Sequence, residues 1–191
     1  LAADRVITVS RQTREDLINY VGIDRQKIEV VYQSCNDAFK TLLNHEQKLE
    51  VSRKWMLPGE YILYVGTVEE RKNLLNLIKA LHQKNIQYPL VVVGRHTHYI
   101  KKIKEYIRKY SIQHVYFLKE VPVTDLPGIY QMATLFVYPS VYEGFGIPIL
   151  EALYSQVPVI TSKEGCFIEV GGENSQYIDP LSTHELAETL I

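Results

Sequence analysis

Short apolar runs recur along the chain at intervals that leave room for one helix between each pair. Tyr61–Val65, Pro89–Val93, His114–Leu118, Thr134–Tyr138 and Val157–Ser162 are such runs, and Tyr177-Ile178-Asp179 is a shorter last one. They are almost continuously apolar instead of alternating, which is the pattern of parallel strands covered on both faces. Between them, Leu74, Leu77, Ile78 and Leu81 recur at helical spacing, and Ile100, Ile103 and Ile107 do the same within a helix over 98–110. Further helices are predicted from Asp125-Leu126-Pro127 to Ala133, with Thr124 as its cap, from Pro148 onward, and over 181–191. Five or six strands alternating with helices predict an α/β fold: a Rossmann-like, doubly wound parallel sheet with helices on both faces. Upstream lie a strand over 6–9, a helix over 11–20 closed by Gly22, a second strand over 27–32, and a polar helix over 45–56 stopped by Leu57-Pro58-Gly59.

The chemistry gathers where strands give way to helices. After the run ending at Tyr138 comes Pro139-Ser140-Val141-Tyr142-Glu143-Gly144-Phe145-Gly146-Ile147-Pro148-Ile149-Leu150-Glu151-Ala152. Gly144 and Gly146 allow backbone to approach a ligand, and the helix start behind them offers unpaired N–H groups and a partial positive charge. Glu143 stands before that turn, and Glu151 is placed in the first helical turn, where the dipole favours its ionised form. Ionised carboxylates only accept hydrogen bonds, so their partners are vicinal hydroxyls such as those of a sugar or ribose. A second strand-to-helix loop, Gly66-Thr67-Val68-Glu69-Glu70-Arg71-Lys72-Asn73, puts two cations ahead of a helix N-terminus. The dipole disfavours them there, and an anionic ligand would resolve the conflict.

The segment from Glu143 to Ala152 resembles the E-x7-E signature of retaining glycosyltransferases of the GT-B fold, in the large family GT4 that includes bacterial polysaccharide mannosyl- and glucosyltransferases. The Gly66–Asn73 loop is similar to that family's Gly-Thr-x-x-Pro-Arg-Lys-Asn, although Thr67 stands where many members carry arginine. The resemblance extends through Phe117–Val121, where Lys119 replaces a glycine, and through Val157–Ser162, where Gln156 does. It also covers Glu169-Val170 and Ile178-Asp179-Pro180. At Gln33–Phe39, which is similar to the family's Asn-Gly-Val-Asp-x-x-Phe, the glycine is replaced by Ser34 or Cys35. The resemblance implies that residues 1–40 are the end of an N-terminal acceptor domain with its linker, and that 41–191 form a nucleotide-sugar donor domain, truncated at its C-terminal end. It further implies that Arg71 and Lys72 hold the donor diphosphate and that Glu143 orients the transferred sugar. Glu151 would hold the ribose, Gly66, Thr67, Gly144, Phe145, Gly146 and Ile147 would line the donor, and the backbone at Glu120 and Val121 would meet the base. The implied co-substrate is a nucleotide-diphosphate sugar such as GDP-mannose or a UDP-hexose, and the acceptor is a glycan or lipid-linked sugar held by the N-terminal half. A non-catalytic nucleotide-sugar-binding module and a GT-B sugar-nucleotide epimerase remain alternatives, since fold does not fix function.

Composition narrows the classes. With 191 residues, 46% apolar and 23% charged, the chain has the makeup of a globular domain with a substantial core. A formal net charge of −1 gives no basic footprint for nucleic acid. No apolar run reaches the ~18 residues a membrane span needs. The expected location is cytoplasmic, with any membrane association at the inner face made through the N-terminal half. Cations and backbone N–H groups at the phosphate position, in place of oxygen ligands for Mg²⁺, predict a metal-independent site. Cys35 and Cys166 form no metal or redox motif and are expected as free thiols. His96 and His98, without a third ligand, are read as surface residues. The absence of an initiator Met and the opening directly on a strand predict a partial protein.

Overall fold

The protein is described here by a computed structural model covering residues 3–191. At its start, β1 (Val6–Thr8) is followed by α1 (Arg11–Asp16) and β2 (Ile28–Val30), and the two strands pair in parallel as a small separate sheet. Ser10 caps α1 by accepting the Thr13 N–H, and the helix then widens into a π turn over Leu17–Val21 that ends at Gly22 with φ 72°. Asn36 caps a 3-10 turn at Asp37–Lys40 that buries Phe39, and α2 (His45–Trp55) opens with a reciprocal Asn44/Gln47 capping box. It closes on Met56 in the left-handed region, ahead of the expected Leu57-Pro58-Gly59 stop.

The main body runs β3 (Ile62–Val65), α3 (Leu74–Gln83), β4 (Leu90–Val93), α4 (Ile100–Lys109), β5 (Val115–Leu118), α5 (Leu126–Gln131), β6 (Leu135–Tyr138), α6 (Ile147–Tyr154), β7 (Val159–Ser162), α7 (Cys166–Gly171), β8 (Gln176–Ile178) and α8 (Thr183–Thr189). Its six strands lie in the order β5-β4-β3-β6-β7-β8, and every neighbouring pair is parallel. Alternate strand residues serve opposite faces, as the pleat requires. Leu63, Val65, Val91, Val93 and Phe136 pack with α2, α5, α6 and α7, whereas Ile62, Tyr64, Leu90, Val92 and Val137 pack with α3, α4 and α8. The expected doubly wound architecture is therefore the observed one.

The strand order reverses between β3 and β6. Those two strands pair only at Ile62/Leu135 and Leu63/Phe136, so their carboxyl ends part from each other, each still paired with its outer neighbour, and a crevice opens between them. Such a switch point is where open α/β sheets bind ligands. One local expectation needs correction: α5 takes its N-cap position at Asp125 without a side-chain cap, and the Thr124 hydroxyl bonds to the Asp125 carboxylate. That carboxylate is held by Trp55 Nε1 at 2.8 Å and Lys54 Nζ at 2.7 Å, which tie α2 to the start of α5. Cys35 and Cys166 are both free and buried.

At the rim of the crevice the ends of β3 and β4 touch backbone to backbone. A Cβ built on Gly94 would lie 2.1 Å from the Gly66 carbonyl oxygen and 2.7 Å from its carbon, at a φ of 151°. Gly94→Ala should therefore destabilise by at least ~1–3 kcal/mol, the ordinary cost of overpacking. Gly59→Ala, with nothing within 4 Å of its Cβ, should be close to neutral. Chemical denaturation of the two variants checks this, and equal midpoints would refute the close approach.

Candidate active site

The crevice is organised by one carboxylate oxygen. Glu143 Oε1 receives Lys72 Nζ at 2.6 Å, Arg71 Nη1 at 2.9 Å, Ser140 Oγ at 2.8 Å and the Tyr138 hydroxyl at 2.9 Å. Lys72 Nζ also donates to the Tyr138 oxygen at 2.5 Å. The side chains of Lys72 and Glu143 are only 13% and 12% exposed, so this pair is shielded, while Arg71 at 41% reaches toward solvent. Burial alone would push the Glu143 carboxyl up, but the Lys72, Arg71 and Ser140 contacts outweigh it and leave it below the usual carboxylate range. The cations predicted to await an anionic ligand are thus answered within the chain. Arg71 also pairs with Glu69 at 2.7 Å and donates to the Tyr142 carbonyl.

Local structure fixes these groups. Glu70–Lys72 form a 3-10 turn, and Asn73, in the left-handed region, starts α3 while its amide bridges the Pro139 and Pro180 carbonyls. Val141 N–H donates to the Arg71 carbonyl at 2.9 Å, and the Ser140 oxygen, whose one proton goes to Glu143, lies 3.2 Å from it. The loops after β3 and β6 are consequently stitched together, so Arg71, Lys72 and Glu143 meet although they are far apart in sequence.

Glu151 lies elsewhere than expected within its helix. It is the fifth residue of α6, one turn past the start, where the dipole has little hold on it. Burial raises its carboxyl, and the Tyr130 hydroxyl, donating at 2.8 Å, opposes that only in part. In place of a first-turn carboxylate favoured by the helix dipole, Glu151 is a half-buried group whose carboxyl is held above its ordinary value by burial. Of the two motif glycines, Gly146 needs its residue type, with φ 109°, whereas Gly144 has no left-handed φ and a Cβ there would meet nothing closer than Val9 at 3.8 Å. Phe145 is buried with its ring 6.0 Å from that of Tyr32, and Ile147, partly buried, opens α6 with no side chain capping the helix.

Gly66 leaves room above the Lys72 stem, since a Cβ there would sit 3.8 Å from Lys72 Cδ and 3.8 Å from the Tyr138 ring. Thr67, next to it, is half-buried, and its carbonyl accepts the Glu69 N–H. Beside Gly94 opens a cleft of about 490 Å³ whose lining includes Arg95, His96, Lys119, Glu120 and Val121. Glu120 holds φ 53°, a conformation that suits the glycine the family pattern favours nearby. The structure thus brings Glu120 and Val121 to the same rim as Gly66, by way of Gly94. His96 departs from the surface reading, because its Nε2 is buried without a hydrogen-bond partner and its ring sits edge-on to Phe117 at 5.5 Å. Among the described residues no three carboxylate, imidazole or thiol groups converge as a metal site.

The N-terminal segment docks on this loop. Glu169 accepts the Arg11 and Gln12 N–H groups at 2.9 and 3.0 Å, Thr13 donates to the Gly144 carbonyl, and the Tyr142 hydroxyl bonds Asp16 at 2.6 Å. Tyr130, Tyr138, Ser140, Asn73 and Gly94 were not singled out from the sequence. Polar residues within or just after an apolar strand, as at Tyr138 and Ser140, are the signal that was available.

Residues 46–191 match the family described as glycosyl transferases group 1, which is most of the chain. The chain is 32% identical over 185 residues to O-antigen chain mannosyltransferase B of Escherichia coli, covering 94% of this chain and 48% of that protein. Against O-antigen chain mannosyltransferase RfbU of Salmonella typhimurium it is 32% identical, covering 92% and 46%. In fold it is similar to a Rickettsia africae glycosyltransferase, with TM-score 0.87 and 23% identity over 98% of this chain and 52% of that one. A similar match is to Anabaena HepE, solved with UDP and glucose, with TM-score 0.87 and 22% identity over 98% and 52%. The chain belongs to the group 1 glycosyltransferases and has the Rossmann-like fold found in GT-B enzymes. It spans about half the length of the curated relatives it matches. No helix among the described residues is long and apolar enough to cross a membrane.

The raised Glu151 carboxyl has a consequence for stability. A group raised on folding favours the folded state in its neutral form, a contribution present below the unfolded value of 4.5 and lost as pH rises through the raised value. At neutral pH the empty protein therefore carries a buried charge at a cost. Glu151→Gln should melt higher than the parent near pH 7, and the gap should close as the pH falls below about 4. Thermal melts across that range check it; a variant that melts lower near neutral pH would contradict the burial account.

Proposed function

We propose that this chain is the donor-binding half of a hexosyltransferase that moves a sugar from a nucleotide diphosphate to a glycan or lipid-linked acceptor, with retention of configuration and without a metal ion. The observation that carries the reading is the Arg71/Lys72/Glu143 cluster, with its shielded Lys72–Glu143 pair, at the sheet's switch point, next to a helix start and the Gly66–Gly94 rim. In this reading Lys72 and Arg71 turn from Glu143 toward the diphosphate and stabilise it as it leaves. Electrostatic help of this kind is commonly the largest part of catalysis, ~3 kcal/mol per donor. Glu143 then has its charge free to orient the sugar through hydroxyl hydrogen bonds.

Glu151 accepts from the ribose hydroxyls, which gives its half-buried charge a partner. Gly146 and Ile147 bring the start of α6 to the phosphates, with Gly144, Phe145, Gly66 and Thr67 around the donor. The cleft at Glu120 and Val121 takes the base. The names of the mannosyltransferase relatives and the UDP complex of HepE support a donor such as GDP-mannose or a UDP-hexose, in polysaccharide synthesis on the cytoplasmic side. Residues 1–40 would belong to the end of an acceptor domain, 41–191 to the donor domain, and contact with a membrane would come through the N-terminal half. Holding the acceptor hydroxyl against the anomeric carbon needs that half. The chain alone should bind donor and transfer little, and the protein extended N-terminally to its relatives' length should transfer.

Calorimetry in EDTA tests the site. Lys72→Ala should lose about tenfold or more in affinity for UDP or GDP and almost nothing for the bare nucleoside, because the ammonium meets only phosphate charge. Equal loss for both ligands, or a strict Mg²⁺ requirement in the parent, would count against it. Transfer assays on the extended protein separate the enzyme from a scaffold, since donor binding without transfer or epimerisation would leave only a binding module.

A further inference from the structure

Beneath the Glu143–Glu151 segment runs a continuous file of buried rings. Phe39 meets Tyr130 edge-on at 5.4 Å, Tyr130 meets Phe136 at 5.2 Å, Phe136 stacks on Tyr138 at 5.9 Å and 17°, and Tyr138 meets Phe167 at 6.4 Å. All five rings are at most 3% exposed. Phenylalanine would fill either tyrosine position equally well. Burying a hydroxyl costs free energy unless it is hydrogen-bonded, so the two hydroxyls need a reason to be there. Each has one: Tyr130 donates to Glu151 Oε2 at 2.8 Å, and Tyr138 donates to Glu143 Oε1 at 2.9 Å while accepting from Lys72 Nζ. The other two large buried tyrosines of the sheet bond only to backbone, Tyr61 to the Ile129 carbonyl and Tyr64 to that of Lys72.

We infer that Tyr130 and Tyr138 are positioning residues, one for each glutamate of the motif, and that the rigid aromatic file sets the placement of both carboxylates. The inference rests on the roles proposed above for Glu143 and Glu151. In each case the tyrosine occupies one carboxylate oxygen and leaves the other turned to a ligand. Tyr138 and its neighbours Ser140, Arg71 and Lys72 all meet Oε1 of Glu143, and among the described residues no hydrogen bond falls on Oε2. Tyr130 takes Oε2 of Glu151, and no such contact falls on its Oε1. A side chain with one oxygen anchored has lost its rotamer freedom before the sugar or ribose arrives, so less entropy is lost on binding. Because β6 carries Phe136 and Tyr138 on one face and α5 lays Tyr130 against it, the two anchors share one solid body.

The inference separates two effects that a merely structural role would not. In the extended protein, Tyr130→Phe should fall chiefly in donor and nucleotide affinity, by about tenfold, the loss of one hydrogen bond to a charged group. Tyr138→Phe should fall chiefly in kcat, by about tenfold or more. It should also move the acid limb of the transfer profile up by about one pH unit, because Glu143 loses a donor that favours its charged form. In a Glu151→Ala background, Tyr130→Phe should cost nothing further in affinity. Should either phenylalanine variant fail to fold, 3-fluorotyrosine at that position keeps the ring and makes the hydroxyl a stronger donor. The acid limb should then shift down for position 138, or affinity change for position 130. Variants indistinguishable from a parent that binds and transfers, or losses of equal size in the same parameter, would overturn the inference. A parent that neither binds donor nor transfers would instead overturn the proposed function.

Discussion

Everything in the crevice depends on how Glu143 Oε1 is neutralised. A carboxylate taken this far from water is unfavourable unless its charge is matched and its lone pairs are filled. Two cations and two hydroxyls do so from three directions: the 3-10 turn after β3, the end of β6, and the loop that follows β6. The same contacts account for the cations. Arg71 and Lys72 stand ahead of a helix N-terminus, where the dipole disfavours them, and Glu143 provides the opposing charge. The resting site is therefore an internally paired set of charges, for which the donor of the proposed function would have to compete.

The sheet makes that set possible. Because β3 and β6 part after Leu63/Phe136, two loops from distant parts of the chain face each other across the switch point. The Arg71 carbonyl, bonded by the Val141 N–H, locks them in register. Gly94 lets β4 lie against Gly66 and brings the Glu120–Val121 cleft to the same rim. On the other side of the loop, Thr13 and Asp16 fasten the first helix to Gly144 and Tyr142, and Glu169 of α7 accepts the N–H groups at that helix's start. A movement of the N-terminal segment would thus be felt directly at Glu143.

Much of this was legible in the sequence. Unbroken apolar runs at regular spacing carry the parallel sheet, and Leu74, Leu77 and Ile78 announce a helix that buries all three. The strand-glycine-helix pattern singled out the two loops and named Arg71, Lys72 and Glu143, which the structure brings together, and Glu151. Partnership was less legible. Local electrostatics at Lys72 called for an anion, and no spacing rule says that the anion is a glutamate 71 positions away. The helix starts one residue earlier than Pro148 suggests, which puts Glu151 just past the first turn, and its raised carboxyl reflects tertiary burial that no local pattern carries. Gly94 likewise reads as a strand terminator until β3 is laid beside it. Tyr130 and Tyr138 read as core, and their rings are core; only their hydroxyl partners reveal a second task.

The central claim, that Glu143 holds in the empty site the cations a nucleotide diphosphate needs, has a direct test in one affinity. Glu143→Gln keeps the side chain's shape and removes its charge. Titrated calorimetrically with UDP and with GDP, it should bind whichever nucleotide the parent prefers more tightly, by about threefold to tenfold, a change of ~1 kcal/mol. Unchanged or weaker binding by a folded variant would contradict the claim.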